Sequence, residues 1–244
     1  MTGLEALLDV TGVSIAFGGN QALDQVSIRI DQGEIVGLIG PNGSGKTTLL
    51  NVIGSIYSAQ AGSVVFKGQP LDRLSTYEVA RAGIARTFQV PRVFPHMTAL
   101  ENMLVPGFAA RRAKTEGRRD LVARSRELLA FFEIAGLADE HAGSLSGGQR
   151  MLLQFARALM LKPRLMLLDE PFAGVHPLLI KRMLARIGEL HGDGIDFIIV
   201  SHDLPTIMKL ATRMVVLSNG RKIADGPPET VRHQEEVVEA YLGV

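Results

Sequence analysis

The sequence predicts an α/β fold built around a parallel sheet. Four short apolar runs do not alternate with polar residues, which is typical of strands buried on both faces of a sheet. They are rich in Val, Ile and Leu and span residues 34–40, 164–168, 196–201 and 213–217. Segments of helical periodicity separate them, as in an α/β domain. With 46% hydrophobic residues among 244, the chain can bury the core of one large domain.

The N-terminal part has a different pattern, in which apolar and polar residues alternate between Gly-rich turns. The alternating segments are residues 8–15, 22–30 and 63–67, and they predict an antiparallel sheet. Near the other end, Asn219-Gly220 between two short apolar runs predicts a β-hairpin.

Residues 90–159 contain no convincing strand and predict a helical insertion. Within this region six residues fall on one helical face, namely Leu121, Val122, Ser125, Leu128, Leu129 and Phe132. We therefore expect a single domain over residues 1–244. Its α/β core and β subdomain come from residues 1–88 and 160–244, and its helical subdomain from residues 89–159.

Composition excludes several classes of protein. Lys and Arg number 26 against 25 Asp and Glu, a net charge of +1, which argues against a nucleic-acid partner. The absence of cysteine excludes disulfides, thiolate metal sites and a cysteine nucleophile. The first ten residues lack a secretory pattern, and the apolar runs fall far short of a membrane span. We expect a cytoplasmic protein that a partner would have to hold at any membrane.

A phosphate-binding loop follows the first buried run and precedes a helical segment. Its residues fit the pattern G-x-x-x-x-G-K-[ST] and are Gly40, Pro41, Asn42, Gly43, Ser44, Gly45, Lys46 and Thr47, followed by Thr48. The glycines let backbone N–H groups turn toward phosphate oxygens, and the helix N-terminus adds a partial positive charge. Lys46 would reach the β- and γ-phosphates, and the Thr47 hydroxyl would bind Mg²⁺. The loop therefore predicts a nucleotide site with a metal.

Two later strand ends supply the residues for hydrolysis. Asp169 ends a buried run at the carboxyl edge of the sheet, where ligands of open α/β sheets bind. It can hold Mg²⁺ through water, and Glu170 can orient or deprotonate an attacking water. His202 follows another buried run and could bind a γ-phosphate, although a histidine in a helix-capping segment is an alternative.

The segment Leu145-Ser146-Gly147-Gly148-Gln149 opens a predicted helix with small residues, so it is a second candidate anion site. It matches the signature of ATP-binding cassette (ABC) ATPases, and with the motifs above the chain resembles this family from about residue 17 to 220. The resemblance implies a P-loop NTPase core of the ABC cassette type.

The resemblance also implies roles for individual residues. Phe17 would stack on adenine, and Gln89 would contact Mg²⁺ and water beside Thr47 and Asp169. Glu170 matches the catalytic carboxylate and His202 the switch histidine. The signature residues Ser146, Gly147, Gly148 and Gln149 would bind the nucleotide held by the opposing cassette, so the working unit is a dimer.

Within the family, several motifs resemble the cassettes of branched-chain amino acid importers, especially the LivG-type member. They are Arg86-Thr87-Phe88-Gln89, Val93-Phe94-Pro95-His96-Met97-Thr98 and the closing Ala240-Tyr241-Leu242-Gly243. The resemblance implies an ATPase that drives import of branched-chain amino acids or related small polar solutes. Residues 169–175 also resemble the cassette of a lipopolysaccharide export machine, and a non-transport ABC switch is a third alternative.

The importer resemblance implies several partners and a location. They are transmembrane permeases, a second identical or different cassette and, indirectly, an extracytoplasmic solute-binding protein. The chain would lie peripherally on the cytoplasmic face of the membrane, and a permease helix would dock near residues 89–101.

Two features have no settled role in this resemblance. His176 stands where these cassettes usually carry Asp or Asn in an interface loop. A basic cluster predicts either a solvated helix face or a surface for anionic lipid or an acidic partner. It comprises Arg111, Arg112, Lys114, Arg118, Arg119, Arg124 and Arg126.

Overall fold

The computed structural model describes residues 6–110 and 117–242. The described strands are β1 (Leu8–Phe17), β2 (Asn20–Ile30), β3 (Ile35–Ile39), β4 (Ala61–Phe66), β5 (Gln69–Pro70), β6 (Ile84–Arg86), β7 (Leu165–Asp169), β8 (Asp196–Val200), β9 (Arg213–Ser218) and β10 (Arg221–Gly226). The described α-helices are α1 (Lys46–Ile53), α2 (Thr76–Ala82), α3 (Ala99–Ala110), α4 (Arg118–Phe131), α5 (Gly147–Leu159), α6 (Pro177–Gly192), α7 (Leu204–Ile207), α8 (Pro228–Val231) and α9 (Glu235–Leu242).

The predicted N-terminal antiparallel sheet is confirmed. Its strand order is β2-β1-β4-β5, and all pairs are antiparallel. Val10 lies opposite Ile28 on one side and Val64 on the other. All three side chains are buried, because alternation places them on the face that packs on the rest of the domain.

The second sheet has the order β10-β9-β3-β8-β7-β6. Its strands are parallel except β10, which pairs antiparallel with β9 through the predicted Asn219-Gly220 hairpin. Asn219 and Gly220 both have positive φ, 48° and 75°, as a type I′ turn requires. The edge strand β6 was not predicted, because three residues are too few to show a pattern.

Two apolar clusters cover the two faces of this sheet. Ile35 and Ile39 of β3 face the cluster that includes α5 and α6, whereas Val36 and Leu38 face α1 and the antiparallel sheet. This double burial explains why β3, β7 and β8 are apolar without alternation.

Helices α3, α4 and α5 lie in the region predicted to be helical. Of the described residues between 89 and 159, none lies in a strand of either sheet. The predicted face of α4 is confirmed, since Leu121, Ser125 and Leu129 are buried and Val122 and Leu128 are partly buried.

The basic cluster is only partly described. Arg111, Arg112 and Lys114 lie outside the described residues, whereas Arg118, Arg119 and Arg126 are exposed on α4. Arg124 instead donates a hydrogen bond to the Leu159 carbonyl at 2.8 Å. Among residues 6–110 and 117–242, none of the helices has both the length and the hydropathy of a membrane-spanning segment.

Candidate functional site

The loop between β3 and α1 has a backbone that only glycine can supply at two positions. Gly40 has φ of 145°, and a Cβ there would lie 2.0 Å from the Leu217 carbonyl oxygen. Gly45 has φ of 101°, and a Cβ there would lie 2.6 Å from the Ala22 carbonyl oxygen. Both glycines combine a left-handed backbone with close contact to a neighbouring strand, so the loop is held tightly against the sheet.

Lys46, the first residue of α1, folds back over this loop. Its Nζ donates to the carbonyl oxygens of Gly40 and Pro41, both at 2.8 Å, and to Ser44 Oγ at 3.3 Å. Burial lowers the pKa of Lys46, while the charges of Glu170 and Asp169 oppose this change. The ammonium group is therefore positioned at the loop, as phosphate binding requires.

Asp169, at the end of β7, contacts two residues from other segments. Its Oδ1 accepts a hydrogen bond from Thr47 Oγ1 at 3.2 Å, and its Oδ2 accepts one from Arg86 Nη2 at 3.0 Å. The Arg86 and Asp169 side chains are only 9% and 5% exposed. Each oxygen of the Asp169 carboxylate therefore accepts a hydrogen bond from a different residue.

Glu170 and His202 form the next pair along this edge. His202 Nδ1 lies 2.8 Å from Glu170 Oε2, and the Glu170 side chain is far less exposed than that of His202. The two residues follow β7 and β8, which are neighbouring parallel strands. Their carboxyl ends therefore meet at the same edge of the sheet.

A cavity of about 620 Å³ lies over this edge. It is lined by Asn20, Gln21, Ala22, Asn42, Gly43, Ser44, Gly45, Lys46, Thr47, Thr48, Gln89, Glu170, Val200, His202 and Asn219. The fold therefore brings together most of the predicted loop residues with Gln89, Glu170 and His202. Gly40 and Pro41 are hydrogen-bonded to Lys46, and Asp169 is hydrogen-bonded to Thr47, so these three residues adjoin the lining.

The signature residues are not among those lining the cavity. Ser146 caps α5, since its Oγ accepts from the Gln149 amide at 3.3 Å and Gln149 Oε1 accepts from the Ser146 amide at 2.8 Å. A Cβ at Gly147 would meet only open space, whereas one at Gly148 would lie 2.7 Å from Leu179. Within one chain the signature and the cavity are separate sites.

Phe17 also lies outside the residues that line the cavity. It is 45% exposed and packs edge-to-face on Tyr57, with ring centroids 5.1 Å apart. Tyr57 has no predicted role, because nothing in its local sequence distinguishes it from a core residue.

His176, the unusual residue of the interface loop, caps α6. Its Nδ1 accepts a hydrogen bond from the Leu178 amide at 3.3 Å. Asp and Asn, which the resemblance leads us to expect there, cap helices in the same way. The substitution therefore retains the capping function.

Two residues close to the loop have no role predicted from residue patterns. Arg86 belongs to the family motif Arg86-Thr87-Phe88-Gln89, and its three-residue strand is too short to show a pattern of its own. Tyr241 has a buried hydroxyl that lies beside the backbone of Gly40. Burial raises the pKa of the Tyr241 phenol, and the backbone of Gly40 opposes this change while the charge of Glu170 adds to it. The C-terminal helix therefore reaches the phosphate loop.

Comparisons with known proteins agree with this geometry. Residues 23–173 match the ABC transporter family model, and residues 221–244 match a model described as branched-chain amino acid ATP-binding cassette transporter. Together with the loop, the carboxylates and the signature, the first match defines the class of protein. The chain belongs to the ABC transporter family and is an ATP-binding cassette.

Two relatives are similar to this chain over nearly its whole length. The chain is 39% identical to a probable branched-chain amino acid transport ATP-binding protein LivG of Archaeoglobus fulgidus, covering 97% of this chain and 95% of that protein. It is 34% identical to the high-affinity protein LivG of Escherichia coli K12, covering 98% of each.

Solved structures give the same result. A nucleotide-free ATP-binding cassette from an ABC transporter superposes with a TM-score of 0.88 at 35% identity, covering 98% of this chain and 100% of that one. A dimeric post-hydrolysis cassette bound to ADP and Pi superposes with a TM-score of 0.83 at 27% identity, covering 91% and 98%. The chain therefore binds ATP and is an ATPase that works with membrane permeases.

Proposed function

We propose that this chain is the ATP-hydrolysing subunit of an importer for branched-chain amino acids or related small polar solutes. The observation that carries the proposal is similarity to LivG proteins over nearly the whole chain, including the separate match of residues 221–244. The chain would lie peripherally on the cytoplasmic face of the membrane, held there by its permeases. An extracytoplasmic solute-binding protein would deliver the solute to them.

The loop and strand ends suit binding of Mg²⁺ with ATP. Thr47 Oγ1 and Asp169 Oδ1 lie 3.2 Å apart, and Gln89 is one of the residues that line the neighbouring cavity. Oxygen ligands of this kind are those that Mg²⁺ prefers. When bound, Mg²⁺ would neutralise phosphate charge, and Asp169 would hold it through water.

The chain's own residues would then perform the reaction. Lys46 and the loop amides bind the phosphates, and Phe17 stacks on the adenine. His202 engages Glu170 Oε2, which leaves Oε1 to accept a proton from the attacking water.

Because the signature lies apart from the cavity, it would bind the ATP held by a second cassette. The closed dimer would be stabilised by contacts that are lost with the γ-phosphate.

The catalytic carboxylate can be tested directly. We expect Glu170→Gln to abolish phosphate release from ATP while retaining ATP binding, because the amide cannot accept the proton. Phosphate release by the purified protein measures this. Glu140→Gln, at an exposed residue that does not line the cavity, is the control. Full turnover in Glu170→Gln would remove Glu170 from the catalytic role and leave a different base to be found.

The permease surface would lie in the loop that follows Gln89. Val90, Phe94 and Met97 are 76%, 43% and 38% exposed. Buried Asn102 holds this loop, since its Nδ2 donates to the Phe94 carbonyl oxygen at 3.0 Å. An exposed apolar surface on a firmly held loop suits a permease helix.

We expect Val90→Glu and Met97→Glu to prevent co-purification with permeases, because a charge would have to be buried at the contact. Val238→Glu, a similarly exposed apolar position on α9, is the matched control. Normal assembly of both loop variants would show that the permease docks elsewhere.

The importer itself is tested by purifying the tagged protein from gently solubilised membranes and identifying its partners by mass spectrometry. We expect polytopic permeases and a second, different cassette. Partners of a lipopolysaccharide export machine, with this chain as a homodimer, would replace the importer with that alternative. The absence of any membrane partner would contradict transport and leave the ATPase activity in place.

A further inference from the structure

Arg86 is a buried cation that the mechanism above does not use. Its Nη2 donates to Asp169 Oδ2 at 3.0 Å, and its Nη1 donates to Asn51 Oδ1 at 2.6 Å. The guanidinium carbon also lies 5.1 Å from the centroid of the Phe88 ring. One planar group therefore contacts β7, α1 and the segment that leads to Gln89.

The position of Arg86 follows from the sheet. It ends β6, which pairs in parallel with β7, and lies opposite Leu167. Asp169 is two residues further along β7, so both side chains stand at the same edge. Burial lowers the pKa of Arg86, and the charge and hydrogen bond of Asp169 oppose this change. The pair is thus a buried ion pair at the nucleotide site.

The two oxygens of Asp169 have different partners. Arg86 occupies Oδ2, while Oδ1 faces the Thr47 hydroxyl at 3.2 Å. Without Arg86, the carboxylate could turn toward Lys46, whose ammonium interacts with the Asp169 charge. Arg86 is able to prevent this rotation, because Asn51 anchors its other terminal nitrogen.

We propose that Arg86 is a positioning residue that holds Asp169 by Oδ2 and thereby keeps Oδ1 and Thr47 oriented toward Mg²⁺. This inference rests on the metal site of the proposed function. Groups that orient a metal ligand typically change metal affinity by about 10- to 100-fold when they are removed. Arg86 should therefore affect the metal-dependent part of nucleotide binding and not the rest.

The test measures the affinity for the non-hydrolysable analogue AMP-PNP by calorimetry, once with excess EDTA and once with excess MgCl₂. We expect Arg86→Gln to lower the Mg²⁺-dependent gain in affinity by about tenfold and to leave binding in EDTA unchanged. An unchanged gain, or an equal loss in both buffers, would overturn the proposal.

Other variants keep the test decisive. Arg86→Lys retains the charge but cannot bridge Asp169 and Asn51 with one planar group, so part of the gain should be lost. If Arg86→Gln does not fold, the test uses Arg86→Lys. A Mg²⁺-dependent gain in AMP-PNP affinity as large as that of the wild type would then overturn the proposal. Arg213→Gln, which breaks an ion pair remote from the cavity, should retain the full gain, and its loss would count equally against the proposal.

Asp169→Asn in the same assay separates this inference from the proposed function. If Asp169→Asn keeps the Mg²⁺-dependent gain, the metal site itself is wrong. If Asp169→Asn loses the gain and Arg86→Gln keeps it, only the role of Arg86 is wrong.

Discussion

Glu170 has a left-handed backbone with φ of 48°, although it is not a glycine. Its amide donates to the Val200 carbonyl oxygen at 3.0 Å, which continues the pairing of β7 and β8 by one residue. The left-handed conformation costs an L-residue about 1–2 kcal/mol. Strain of this kind collects at functional sites, where the surrounding structure imposes it. Here it places the carboxylate within reach of His202.

At this residue, glycine and alanine substitutions separate strain from chemistry. Both remove the carboxylate, but only glycine relieves the backbone strain. We expect Glu170→Gly to exceed Glu170→Ala in free energy of unfolding by about 1 kcal/mol. Urea denaturation of the nucleotide-free proteins measures the difference. Equal stability, or a more stable alanine variant, would show that the position is not strained.

At the scale of elements, helix α5 is attached to the loop after β6. Gln154 Nε2 donates to the Phe88 carbonyl at 2.9 Å, and its Oε1 accepts from the Arg92 amide at 3.1 Å. Arg157 donates to the Arg92 carbonyl. The helix that begins at the signature therefore holds the backbone on both sides of Gln89, so a movement of one would be transmitted to the other.

Substitution of Gln154 tests this attachment. Gln154→Leu leaves the Phe88 carbonyl and the Arg92 amide without these partners, which should lower the free energy of unfolding by about 1–3 kcal/mol. Hydrogen exchange of the Arg92 amide should accelerate and can be followed by mass spectrometry. Gln69→Leu, on the exposed strand β5, is the control. Unchanged exchange in Gln154→Leu would mean that other contacts hold the loop.

At the scale of the whole molecule, Arg213 joins the two sheets. From β9 it donates to Asp225 Oδ1 of β10 at 2.6 Å and to the Arg29 carbonyl of β2 at 2.9 Å. It also lies 3.3 Å from the Glu34 carboxylate. The network ties β9 and β10 of the mixed sheet to β2 of the antiparallel sheet, at positions that do not line the cavity.

This network predicts an acid-dependent loss of stability. Burial raises the pKa of Asp225, but hydrogen bonds and charges from Arg213 and Lys222 outweigh it, so the net pKa is lowered. The stabilisation is therefore present above the unfolded-state pKa of about 3.9 and disappears as pH falls through the lower folded-state pKa.

We expect Asp225→Asn to be about 2 kcal/mol less stable than the wild type at neutral pH. The difference should shrink in acid, because the wild-type carboxylate is then protonated. Urea denaturation at several pH values measures it. A difference that stays constant with pH would show that the Asp225 charge does not contribute.

Sequence patterns predicted the parts of the site that depend on neighbouring residues. The phosphate loop requires glycine at Gly40 and Gly45, and its strand and helix follow from buried and periodic residues on either side. The Asn219-Gly220 hairpin was predicted for the same reason, since its turn needs two adjacent residues with positive φ. The strand β6 was not predicted, because three residues show no periodicity.

Local patterns in the sequence predicted most of the strands and helices around the site, and the motifs indicated the family. Which distant residues meet is visible only in the folded chain. Thr47 and Asp169 are 122 positions apart, Arg86 and Asp169 are 83 apart, and Glu170 and His202 are 32 apart. These meetings cannot be read from the sequence, because several of its apolar runs are equally suited to a strand that is buried on both faces of the sheet. Strand order, and with it the pairing of Arg86 with Asp169, depends on how the whole sheet packs between its two apolar layers.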